Sequence, residues 1–205
     1  MKSPKMKIFL YSIAAIVVVF LGIISVRAII YRPTECTKWE EGMVIFHESK
    51  SAQSPLIKAV TNSRWTHCGI VVNTSNGLKV LEASKSVRLV EIEEFCKRGV
   101  NSDYIVCIAK ERLIKPINYS KYLGQPYDLA FKFNNGKMYC SELVWEIYKD
   151  QGIEICSPRS VGSYPLFWVP IKKVQAAIKS RGIKASQQTI SPERLVSHMC
   201  EVEGL

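Results

Sequence analysis

From Ile8 to Val26 the chain runs nineteen residues without a charge, broken only by Tyr11, Ser12 and Ser25. No polar stripe recurs at helical spacing, so the run does not read as one face of a core helix. At about 1.5 Å per residue it covers roughly the 30 Å hydrocarbon core of a bilayer. A cleaved export signal would end in small residues, for which Val26-Arg27-Ala28 is a poor match, and no lipid-attachment pattern precedes Cys36. The pattern predicts a basic head over 1–7, an uncleaved transmembrane anchor over 8–30 and a single domain over 36–205.

Beyond Pro33 the periodicity shortens. Met43 to Phe46 reads as a strand, and Ser54-Pro55 opens a helix running to about Val60. Thr66 to Val72 and Leu78 to Ala83 read as strands joined by the hairpin signal Asn73 to Gly77. A short amphipathic helix is expected over Glu91 to Arg98, a strand over Tyr104 to Ala109, and a short helix over Ile117 to Leu123. Over Cys140 to Gln151, Leu143, Val144, Ile147 and Tyr148 form one apolar stripe, and Gly152 stops the helix. Ser191-Pro192-Glu193 caps a last helix. The sum is an α+β domain with a small antiparallel sheet and helices before and after it.

Composition adjusts this picture in two places. The formal charge is +10, but taking out Lys2, Lys5, Lys7 and Arg27 leaves 24 Lys and Arg against 18 Asp and Glu, a net +6. Those charges are interspersed rather than clustered with aromatics, which argues against nucleic acid and suits a solvated basic surface or an anionic lipid or cell-wall polymer. The short basic head predicts a single-pass membrane protein with its domain on the extracytoplasmic side, although Arg27, Arg32 and Lys38 nearly balance the bias. Seven cysteines, at 36, 68, 96, 107, 140, 156 and 200, show no CxxC or Cys/His spacing, so no metal site is expected, and their disulfide state stays open.

Cys140 stands at the start of its helix, where unpaired N–H groups and the helix dipole favour a thiolate. Its own N–H is placed to donate to an oxyanion. His67 lies at a strand edge next to Cys68-Gly69, where the missing side chain leaves room for a neighbour. His47 and Glu48 follow a strand, where they would either line the cleft or stand in an exposed loop, and the loop is expected; His198 is expected on a helix as a surface or packing residue.

The stretch LGQPYDLAFKFNNGKMYCSELVWEIYKDQGI, Leu123 to Ile153, resembles the Cys-Ser-x-Leu-Val segment of NlpC-type cell-wall peptidases. Here the histidine segment RWTHCGIVV, Arg64 to Val72, precedes the cysteine. That order, with Gly42 to Phe46 and Tyr139 to Tyr148, resembles the circularly permuted papain-like amidases typified by YiiX and YaeF. Glu142 and Tyr139 depart from the NlpC pattern, where glycine and aspartate stand. The resemblance implies a permuted papain-like fold and a cysteine peptidase or amidase needing no cofactor. Cys140 would be the nucleophile, His67 the base and Glu82 the residue orienting its imidazole, with Tyr127, Tyr139 and Asp128 at the substrate, packing within the Gly-x-Pro-Tyr-Asp turn being the equal alternative for Tyr127 and Asp128. The substrate class implied is a bacterial cell-wall peptide, which would put the anchor in a bacterial inner membrane, with a lipid acyl group or a non-catalytic binding role as alternatives.

The hairpin bears on Glu82 separately. If Asn76-Gly77 is the turn, Glu82 falls opposite Val71; if the loop centres on Thr74-Ser75 with Gly77 in a left-handed bulge, Glu82 faces His67 directly. The second register is expected.

Overall fold

The computed structural model describes residues 38–164, 167 and 170–202. The expected anchor and basic head lie outside these residues, and among those described no helix is long and apolar enough to cross a membrane.

A six-stranded antiparallel sheet forms the frame, in the order β4-β3-β2-β1-β5-β8. Its strands are β1 (Val44–Ser49), β2 (His67–Thr74), β3 (Gly77–Ala83), β4 (Val87–Val90), β5 (Gly99–Ile108) and β8 (Cys200–Glu201). β6 (Arg159–Ser160) and β7 (Gln188–Thr189) pair separately. Five helices complete the described residues: α1 (Ser54–Thr61), α2 (Ile92–Lys97), α3 (Cys140–Asp150), α4 (Lys172–Ser180) and α5 (Pro192–Val196). The segment expected as a helix over Ile117 to Leu123 is a single 3-10 turn at Tyr119–Lys121.

Strand alternation sorts side chains onto two faces. Val44, Phe46, Cys68, Ile70, Val72 and Leu81 join the stripe of α3 in one core. Ile45, Val71, Val80 and Val106 pack with Phe95 of α2 in a second. Leu143, Val144, Ile147 and Tyr148 are at most 1% exposed, so the apolar stripe docks α3 on the sheet and fixes where its first residue lies. Burying side chains of this size contributes roughly 1.5–3 kcal/mol each. α1 and α4 build a smaller cluster with Val161 and Tyr164.

The β2–β3 register differs from both readings of the hairpin. Ile70 pairs with Leu81 and Thr74 with Gly77, leaving Ser75-Asn76 as the loop. Thr74 decides it: its hydroxyl donates to the Gly77 carbonyl at 2.7 Å and accepts from Asn76 N–H at 3.2 Å, while Gly77 takes φ +91°. Continued past its last pair, this register sets Glu82 level with Gly69, one step diagonal from His67.

Candidate active site

β2 begins at His67, beyond the last bonded β2–β3 pair. Because Gly69 has no side chain, Glu82 can lean diagonally across it, and Glu82 Oε2 lies 2.9 Å from His67 Nε2. The same absence seats Phe95: a Cβ on Gly69 would stand 3.0 Å from its ring and 2.4 Å from Val80 Cγ1. Phe95 in turn stacks on His67, with ring centroids 5.5 Å apart.

Glu82 is fully buried and carries more than the imidazole. Arg88, its cross-strand partner, donates from Nε to Oε1 at 3.0 Å, and Arg98, just past α2, brings a guanidinium nitrogen to 2.9 Å. Burial alone would raise this carboxyl, but the hydrogen bond and charge of His67, then of Arg98, hold it down at about 2. Neither arginine was singled out by sequence reasoning. The signal was available in the alternating Val87 to Val90 that follows a turn, since a glutamate in a buried strand requires counter-ions.

Nε2 being taken by Glu82, Nδ1 is the nitrogen left for a second partner, and Cys140 is the other group bonded to the ring. Burial favours the neutral imidazole; the charge of Cys140 and its hydrogen bond, with those of Glu82, outweigh it and raise His67 to about 9. The Cys140 thiol is driven well below its ordinary value, first by a hydrogen bond from the Cys68 thiol, against burial, then by the charge and hydrogen bond of His67. A thiolate–imidazolium pair is therefore the favoured state near neutrality. Glu142, in the first turn of α3, accepts from Tyr139 N–H at 3.3 Å, and burial lifts its carboxyl to about 8. Protonated at neutral pH, it places no negative charge behind the sulfur.

The other expected site residues divide. The Tyr127 hydroxyl bonds Cys140, and burial followed by the charge of Cys140 keeps it protonated, so it is a donor at the sulfur. Asp128 is 2% exposed and committed to its own loop, accepting from Ala130 N–H at 2.9 Å, from Lys132 N–H and from Asn135 Nδ2 at 3.0 Å, as packing within the turn requires. Tyr139 is 1% exposed, with its hydroxyl held by Thr189 at 3.0 Å and by Ile190 N–H at 3.2 Å. It supplies ring surface to an apolar cavity and no polar group to the cleft. His47, expected in an exposed loop, is 1% exposed in β1, pairs with His67 and stacks on Phe95 at 4.6 Å. Burial, then the charges of His67 and Arg98, push it down to about 3, so it is neutral. His198 is exposed past the end of α5, near the Arg194 carbonyl.

Two spaces flank the sulfur. A narrow apolar cavity of about 60 Å³ is lined by Cys140 together with Leu56, Val60, Phe131, Tyr164 and Ile190. An open cleft of about 860 Å³ is lined by His47, His67, Tyr127 and several basic residues. Among the described residues no group of three or more His, Cys, Asp or Glu side chains converges as a metal site would require.

A cysteine that opens a helix and bonds to a strand histidine that a carboxylate holds, with the histidine strand earlier in the chain, defines a circularly permuted papain-like protein. The model of the family described as permuted papain-like amidase enzyme, YaeF/YiiX, C92 family, matches residues 38–197, and the chain belongs to that family. It is 28% identical over 181 residues to the uncharacterized protein YiiX of Escherichia coli strain K12, covering 83% of this chain and 85% of that one. It also superposes on the crystal structure of the metalloprotein YiiX from Escherichia coli O157:H7, with a TM-score of 0.69 at 25% identity, over 81% of this chain and 97% of that one.

Proposed function

We propose that this chain hydrolyses an amide through an acyl-thioester on Cys140. The observation that carries the reading is the contact of Cys140, at the first turn of α3, with an imidazole whose other nitrogen is held 2.9 Å from Glu82. Cys140 attacks the carbonyl as a thiolate. His67 then gives its proton to the departing amine and takes one from the water that cleaves the thioester. Glu82 fixes the ring and favours its charged form, while the Cys140 N–H and the Tyr127 hydroxyl are the donors nearest the developing oxyanion.

The test is thiol labelling at pH 7: iodoacetamide should modify Cys140 faster than the other cysteines, and His67→Ala should slow it. Equal rates for the two proteins would end the reading. Resemblance to NlpC-type enzymes favours a cell-wall peptide, and an anchor over 8–30 would hold the domain at the outer face of the membrane. A lipid acyl group is the second reading, favoured by the apolar cavity that Cys140 lines. Turnover of muropeptides against phospholipids and acyl thioesters separates them.

A further inference from the structure

The cleft on the His67 side carries charges for which the amidase reading gives no role. Lys50, Lys85, Lys97 and Arg98 line it, and no Asp or Glu does. Lys97 pairs with Glu93 and Arg98 with Glu82, whereas Lys50 and Lys85 are exposed and take part in none of the ion pairs among the described residues. Among the lining residues, His47 Nδ1, Gln53 Oε1 and Arg98 Nε and Nη2 are buried without a hydrogen-bond partner, Nη2 meeting Glu82 only as an ion pair. Nearly all buried polar atoms are satisfied, so this group of orphans among the residues of one cleft, three of the four on nitrogen, points to a ligand that completes them. Arg98 Nε can only donate, and it asks for an acceptor.

Position relative to the sulfur gives the cleft its part in the reaction. The acid that protonates the leaving nitrogen must stand on the amine side of the scissile bond. His67 lines the basic cleft, while Cys140 lines the apolar cavity. The cleft is therefore the amine side.

We propose that the amine half of the substrate carries an anionic group, a carboxylate or a phosphate, seated in this cleft against Lys50, Lys85 and Arg98. The inference rests on the amidase reading above. The sulfur–carbon bond forms, the carbon–nitrogen bond breaks, and the His67 proton leaves with the amine, which takes the anion with it. Water then attacks the thioester, passes a proton back through His67 and releases the acid and the free Cys140.

The test uses the full chain carrying Cys140→Ala and titrates three ligands that share one acyl group: N-hexanoylglycine, N-hexanoyl phosphoethanolamine and the neutral N-hexanoylglycinamide. At least one anionic ligand should bind about tenfold or more tightly than the neutral one, the size expected of charge-assisted pairing. Adding Lys50→Gln and Lys85→Gln should erase that preference. Which anion leads identifies a carboxylate or a phosphate source. Equal affinity for all three, no binding by any, or a preference unmoved by the lysine substitutions overturns the proposal. Because these titrations need no reactive sulfur, they fail separately from the amidase reading, which falls if Cys140 labels no faster than the other thiols.

Discussion

Replacing Glu82 by glutamine keeps the side chain's shape and removes its charge. The carboxyl ionises at about 2 in the folded chain against an ordinary 4.5, and that separation is worth roughly 3 kcal/mol at pH 7. Because the folded value is the lower one, the stabilisation is complete above about 4.5 and disappears as pH falls through about 2. The raised value of His67 is partly the same interaction seen from the ring, so the two are not added. Glu82→Gln should therefore cost about 3 kcal/mol in urea unfolding at pH 7 and less than about half of that at pH 3. A deficit equal at both pH values, or none at pH 7, would refute the claim that a buried charge network holds this corner of the sheet.

Hydrolysis should fall as pH rises through about 9, where His67 loses the proton it gives the leaving amine. In Glu82→Gln that alkaline limb should move to lower pH; a limb that stays put removes Glu82 from any part in holding the ring's charge. Gly69→Ala should destabilise by about 1–3 kcal/mol, the usual cost of overpacking, since its Cβ would meet Val80 Cγ1 at 2.4 Å and the Phe95 ring at 3.0 Å; urea unfolding measures it. Asp128→Ala should free three donors within residues 130–135, speeding limited proteolysis there with little effect elsewhere.

What could be read in advance follows from how local each signal is. The helix starting at Cys140 was legible because its stripe, cap position and terminating Gly152 agree within a dozen residues. Its partner His67 was legible through the motif around it. The hairpin register was not, because two turn readings competed and a threonine side chain chose a third. His47 reads as exposed loop in preference to cleft lining because a histidine after a short apolar run looks solvated until β1 is seen to continue to Ser49 beneath Phe95. Arg88 and Arg98 depend on β4 and on the end of α2, so only the folded chain brings them to Glu82. The helix α4 was missed although Val174 and Ile178 stand one turn apart, because lysines at Lys172, Lys173 and Lys179 dominate its pattern.

The separation of the two cores explains how these parts can meet. His67 and Glu82 belong to the face that carries Phe95, while Cys140 belongs to the opposite face with α3. A continuous sheet would keep sulfur and imidazole apart. β2 and β3 are bonded only as far as Ile70 and Leu81, and beyond that point β3 stays with β4 through Glu82 and Ala83 while β2 stays with β1 through Cys68 and His67. The strands are thus unpaired with each other over the stretch that bears His67, Cys68 and Glu82, and through that gap Cys140 reaches the imidazole of one residue and the thiol and N–H of the next. Gly69 lies in that gap beneath the Phe95 ring that stacks on His67, so Gly69→Ala should lower stability and slow the rapid labelling of Cys140 together. A site assembled only by local contacts around α3 would show no such coupling.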